Sequence, residues 1–106
     1  MKIVGVCACT AGIAHTYMAK EKLVKAAQAR GHECHIETQG TIGTESELTP
    51  QQIAEADVVI LAIDVKISGE ERFKGKPLIR VGTAGVIKNP LAFIEKVEKA
   101  ISKLNK

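Results

Sequence analysis

The chain has 106 residues, of which 45% are hydrophobic and 25% charged, the balance of one globular domain spanning residues 1–106 with no room for a second. Fifteen Lys and Arg against twelve Asp and Glu leave a net charge of +3, too slight an excess to call for nucleic acid or anionic lipid. Aromatic residues make up 3% with no Trp, so the core is aliphatic and offers no platform for stacking unpaired bases.

Residues Ile3 to Ala8 are a nearly continuous apolar run after a single lysine, which predicts a strand covered on both faces rather than a signal peptide. A Gly-containing turn follows, and from Ile13 to Arg30 the pattern is helical. Ala19, Leu23, Ala26 and Ala27 form its inward stripe, Lys20, Lys22, Lys25 and Arg30 face water, and Gly31 is placed as the C-terminal cap. A second strand is predicted from Cys34 to Thr38, and the polar stretch Gln39 to Glu47, with Gly40 and Gly43, reads as a loop. Thr49-Pro50 is a helix start, and the short helix ends near Ala56.

Val58 to Ile63 is the most apolar segment and is expected to be the central strand, closing at Asp64. Glu70 to Lys76 is charged and reads as irregular or one helical turn, and Leu78 to Val81 is a fourth strand. Asn89-Pro90 repeats the cap signal, and Ile94, Val97, Ile101 and Leu104 give the last helix an apolar stripe. Lys96, Lys99, Lys103 and Lys106 read as its solvated face and complement its dipole. Strands alternating with helices imply an α/β fold with a parallel sheet and right-handed crossovers. In such sheets ligands bind beyond the carboxyl ends of the strands, so the turns after Ala8 and Thr38, together with Asp64, are expected to surround one site.

The segment Cys9-Thr10-Ala11-Gly12-Ile13-Ala14-His15-Thr16 joins the first strand to the first helix. A turn of this kind points backbone N–H groups at one spot and adds the positive end of a helix dipole, a match for a dianionic phosphate. The same field lowers the pKa of a thiol, so Cys9 is the expected nucleophile. Gly12 permits the turn, Ala11 and Ala14 allow close approach, and Thr10 and Thr16 offer hydroxyl donors. Neither a Walker lysine nor the dinucleotide-binding glycine fingerprint is present.

A cysteine at a strand end is ordinarily a small apolar packing residue, and Cys7 and Cys34 are read so. His15 either donates to the phosphate, shuttles a proton or orders the helix start. His32 and His35 read as surface residues. Three Cys and three His lack the spacing of a zinc site, and no metal or other cofactor is expected. Asp64 reads as a support of the cysteine loop, a partner-recognition residue or simply a polar strand end. Three cysteines without an export signal point to free thiols in the cytoplasm, and no apolar run is long enough to cross a bilayer.

With these residues in view, the sequence resembles the enzyme IIB domains of the fructose-type branch of the phosphoenolpyruvate-dependent sugar phosphotransferase system. The family's loop reads Cys-Pro-Thr-Gly-Ile-Ala-His-Thr, and Cys9 with Gly12-Ile13-Ala14-His15-Thr16 matches it, followed by Tyr17-Met18-Ala19. Glu37-Thr38-Gln39-Gly40, Glu47-Leu48-Thr49, and Glu71-Arg72-Phe73 with Gly75-Lys76 match further segments, so the likeness covers nearly the whole chain. Thr10 and Ala11 stand where the family usually has Pro and Thr. The resemblance implies a four-stranded parallel sheet in the order 2-1-3-4 with helices on both faces, an open three-layer sandwich. It implies that Cys9 takes a phosphoryl group from a phosphohistidine on enzyme IIA and passes it to a fructose or fructose-like sugar held by the membrane permease, enzyme IIC. Thr38, Gln39 and Gly40 are the carried-over supports of that loop. A monomer is the default, since no apolar surface stands out.

Two other readings stand beside this one. Low-molecular-weight phosphatases use Cys-x-x-x-x-x-Arg in a similar loop, but His15 fills the Arg position here and cannot clamp phosphate bidentately. A module that only binds an anion or a protein would show an unreactive Cys9.

Overall fold

The computed structural model describes residues 1–8, 13–40 and 43–104. The elements in chain order are β1 (Lys2–Ala8), α1 (Ile13–Ala29), β2 (Glu33–Gly40), β3 (Gly43–Glu45), α2 (Pro50–Glu55), β4 (Val58–Ile63), a 3-10 turn (Glu70–Phe73), β5 (Leu78–Val81), α3 (Thr83–Lys88) and α4 (Pro90–Leu104). The sheet runs β3-β2-β1-β4-β5. The parallel strands β2-β1-β4-β5 follow the expected 2-1-3-4 order, but the expected four-stranded, all-parallel sheet is corrected to five strands and a mixed pattern. Gly43–Glu45 pairs antiparallel with the end of β2, Gly40 facing Gly43, so part of the predicted loop covers an otherwise bare strand edge. The centre of the sheet is accordingly β1, with β4 beside it.

Alternation along the strands divides the core in two. Ile3, Cys7, Ile36, Val58 and Ile60 face α1, α3 and α4, and pack on Leu23, Val86, Ile94 and Val97. Val4, Val6, Ala8, Val59 and Leu61 face the other way, onto Leu48, Ile53 and Phe73. Both faces are thus covered, which is why β1 and β4 read as unbroken apolar runs.

The helix boundaries follow local chemistry. Gly31, at φ +80°, closes α1 in a Schellman motif: the His32 amide reaches the Ala27 carbonyl (2.9 Å) and the Gly31 amide that of Gln28 (3.0 Å). Thr49 and Gln52 form a reciprocal capping box on α2, with Pro50 in the first turn as expected. Lys76 Nζ donates to the Ala54 and Ala56 carbonyls at its other end (2.7 and 3.1 Å). Helix α3 has no counterpart in the sequence reading. Its preceding residue, Gly82, supplies no side-chain cap.

Candidate active site

The register of the sheet fixes where the strands end. Ala8 pairs with Gln39 on one side and Ile63 on the other. One step further, the Asp64 amide donates to the Ala8 carbonyl at 2.9 Å. The carboxyl ends of β1, β2 and β4 therefore meet, as the alternating pattern required. Cys9, Thr10, Ala11 and Gly12 lie outside the described residues. On the far side of that segment Ile13, Ala14 and His15 open α1, so a helix N-terminus, the positive end of its dipole, begins at this end of the sheet. Thr16 is buried, and its hydroxyl has no hydrogen-bond partner among the described residues. An oriented, dry hydroxyl of this kind suits an anion at the helix start.

The expected supports fall on β2 and in the next segment. Gln39 grips the backbone of Ser68 from both sides, its Nε2 donating to the Ser68 carbonyl and its Oε1 accepting from the Ser68 amide, both at 2.9 Å. Its Nε2 also donates to Glu37 (2.8 Å). Glu37 is 1% exposed, and its two oxygens accept from Arg72 Nη1 and Nη2 (2.9 and 3.0 Å), from Gln39 and from the Leu48 amide (3.0 Å). Burial pushes the Glu37 carboxyl up, but the bonds from Arg72, Gln39 and Leu48 outweigh it and hold the group below its ordinary value. Arg72 Nε donates to the Gly69 carbonyl at 2.6 Å, where a Cβ on Gly69 would stand 2.6 Å from the same nitrogen. Thr38 is buried opposite Cys7, and Gly40 forms the last pair with β3.

Asp64 turns its carboxylate toward α3. Oδ1 accepts from the Thr83 amide (3.1 Å) and Oδ2 from the Thr83 hydroxyl (2.5 Å), so the cap that Gly82 lacks comes from a residue nineteen positions earlier. Asp64 also lines an open groove of about 640 Å³ with Lys66, Glu70, Arg80 and Gly82, at the carboxyl ends of β4 and β5. Glu37, Ser68, Arg72 and Thr83 were not singled out as site residues from the sequence. Glu37 and Arg72 sit in two of the matched segments, whereas Ser68 acts through its backbone and leaves no sequence signal.

The thiols divide sharply. Cys7 is buried, which pushes its thiol up to about 12, and burial does the same for Cys34. Neither is a nucleophile at neutral pH. His32 departs from the expected surface position: its ring is 14% exposed, accepts from the Met1 ammonium at Nδ1 (3.0 Å) and donates from Nε2 to Glu98 (2.6 Å). His35 bonds the Ser46 carbonyl (3.2 Å). Beside the start of α1, Tyr17 and Met18 are exposed, with the Tyr17 hydroxyl donating to Glu45 and Lys20 Nζ to Ser46 Oγ (3.1 Å). These bonds lay β3 along the first turns of α1. Among the described residues, no helix is long and apolar enough to cross a membrane.

A family described as "PTS system, Lactose/Cellobiose specific IIB subunit" matches residues 4–104. The chain is 50% identical over 97 residues to the "PTS system fructose-like EIIB component 2" of Escherichia coli K12, covering 92% of both chains. Among solved structures it is similar to the enzyme IIB subunit of a PTS system from Escherichia coli K12 (TM-score 0.91, 37% identity, 99% of this chain and 97% of that one). It is also similar to a domain of the fructose-specific IIABC component of Borrelia burgdorferi (TM-score 0.83, 43% identity, 90% of each chain).

Proposed function

The chain belongs to the IIB family of the phosphotransferase system, in its fructose-like branch, and on that premise we propose that Cys9 is the residue that carries the phosphoryl group. As a IIB component the protein is a phosphotransferase and a phosphoryl carrier. The observation that carries the assignment to Cys9 is the contrast among its thiols. Cys7 is buried and Cys34 half-buried, which pushes both thiols up to about 12, whereas Cys9 follows directly on Ala8 in the sequence, between the end of the central strand and the start of α1.

In the first half-reaction the N–P bond of a phosphohistidine on enzyme IIA breaks as the Cys9 thiolate forms an S–P bond. In the second, the S–P bond breaks and a sugar hydroxyl held by enzyme IIC takes the group. Both are in-line displacements, with amides at the helix start stabilising charge on the equatorial oxygens. Thr10 to Thr16 line the phosphate, and Thr38, Gln39, Gly40 and Asp64 support them. The names of the relatives favour fructose or a fructose-like sugar. The domain works as a monomer in the cytoplasm and meets IIC at the inner face of the membrane.

The test is incubation with phosphoenolpyruvate, the general phosphotransferase proteins and a fructose-type IIA, followed by intact mass and peptide mapping. One phosphoryl group on Cys9, absent in Cys9→Ser and returned to excess IIA, is the expected result. No label on a folded protein with an active IIA would reject the assignment.

A further inference from the structure

The net charge of +3 conceals a division that the fold makes. Residues 13–30 and 83–104, which supply the layer of α1, α3 and α4 on one face of the sheet, carry eight Lys and Arg against three Asp and Glu. The other described residues carry six against nine. One side of the domain is therefore basic and the other acidic.

The three acids of the basic layer are already taken. Glu21 pairs with Lys25 (2.9 Å), and Glu95 and Glu98 close on Arg30. Two nitrogens of that guanidinium meet Glu98 (2.6 and 3.0 Å) and strap the end of α1 to α4. Lys22, Lys88, Lys96, Lys99 and Lys103 are exposed and form no ion pair among the described residues. On α4 the buried Ile94, Val97 and Ile101 face the sheet. Lys96, Lys99 and Lys103 recur at helical spacing on the opposite side, as one stripe.

We infer that this lysine face docks reversibly on an anionic phospholipid bilayer. The free cations are all lysines, compact charges on flexible stems, and the layer's single arginine is spent on Glu98. Fixed carboxylates on a protein partner are met best by a rigid guanidinium fork, whereas a continuous field of lipid phosphates demands no such geometry. The permease that a IIB component serves lies in that field. Each lysine at such a surface strengthens partition roughly fivefold. The hold is additive, loosened by salt, and one that a carrier can leave. Because α1 follows β1 and leads into the parallel strand β2, its axis lies along the strands. Docked on this face, the domain holds the carboxyl ends of its strands level with the bilayer and moves in the plane of the membrane.

The experiment is co-sedimentation of the purified protein with protein-free vesicles of equimolar phosphatidylglycerol and phosphatidylethanolamine, against vesicles of phosphatidylcholine alone. At low salt the protein is expected to sediment with the anionic vesicles only, and about 0.5 M salt should release it. Lys96→Gln/Lys99→Gln should lower the partition coefficient by roughly 25-fold. Lys66→Gln/Lys74→Gln makes the same change in net charge on the other side of the sheet, beside the buried Ile67 and Phe73, and should stay within about twofold of the wild type. No retention on anionic vesicles, equal retention on phosphatidylcholine, or equal losses in the two double variants overturns the inference. So does retention that appears only on membranes containing IIC, which marks a protein partner. Protein-free vesicles hold neither IIA nor IIC, so each of these results leaves the carrier reading of Cys9 untouched.

Discussion

Glu37 and Arg72, thirty-five residues apart, form a two-pronged ion pair in which the carboxylate is 1% exposed and the guanidinium lies 4.9 Å from the centroid of the Phe73 ring. Two separately matched sequence segments are the two halves of one contact. It ties β2 to the 3-10 turn and, through Gln39, to Ser68. Removing one partner strands the other. Arg72→Met should lower the unfolding free energy by about 3–5 kcal/mol, read by urea denaturation. The double variant Glu37→Met/Arg72→Met, in which both charges leave together, should recover much of that loss.

Thiol chemistry should follow burial. At neutral pH iodoacetamide is expected to modify Cys9 in the folded protein and spare Cys7 and Cys34, whose thiols are pushed up to about 12. In urea all three should react, and peptide mapping of the two samples decides the matter.

Acid should also be felt at the opposite end of the sheet. Arg30, bonded to Glu98 by two nitrogens, and then His32 hold the Glu98 carboxyl down at about 2. A carboxyl depressed in the folded state adds stability above its ordinary value of 4.5, and that contribution drains away as pH falls toward about 2. Melting temperatures followed across this range should therefore fall more steeply for the wild type than for Glu98→Gln.

Gly5, in the middle of β1, leaves no room for a methyl group. A Cβ there would stand 2.3 Å from the Ile60 carbonyl oxygen of β4 and 3.1 Å from Ile36 Cδ1. Because the first of these is backbone, Gly5→Ala should cost about 3 kcal/mol, measured by thermal or urea unfolding.

Docking should run through the exposed start of α1. Tyr17 and Met18 stand in the open where that helix begins, with Tyr17 bonded to Glu45. Tyr17→Ala is expected to raise the IIA concentration for half-maximal labelling by roughly tenfold while leaving the plateau unchanged.

The elements that bury apolar faces were legible in the chain itself. Val58–Ile63 and Leu78–Val81 have the boundaries that their composition drew, and α2 starts at Thr49-Pro50 as expected. The misses share a cause. Helix α3 contains Gly85 and three β-branched residues, Thr83, Val86 and Ile87, and takes its cap from Asp64, so nothing within the segment announces it. Strand β3 is three exposed residues with no apolar alternation, and exists because β2 has an edge to cover. At the site, the strand ends were foreseeable from topology, but the bonds from Glu37 to Arg72 and from Asp64 to Thr83 are long-range pairings that no local pattern encodes.

The burial of Cys7 has a redox consequence. A nucleophilic cysteine exposed to peroxide passes to a sulfenic acid, and many such residues are rescued by a second thiol in the same chain. Cys7 stands two positions before Cys9 yet is sealed in the core beneath α1, and Cys34 lies early on β2, well away from the carboxyl end. Neither described thiol is exposed at the carboxyl end of β1 to resolve such an acid, so on the role proposed for Cys9 its repair would fall to small thiols such as glutathione, and oxidant would halt the phosphoryl transfer.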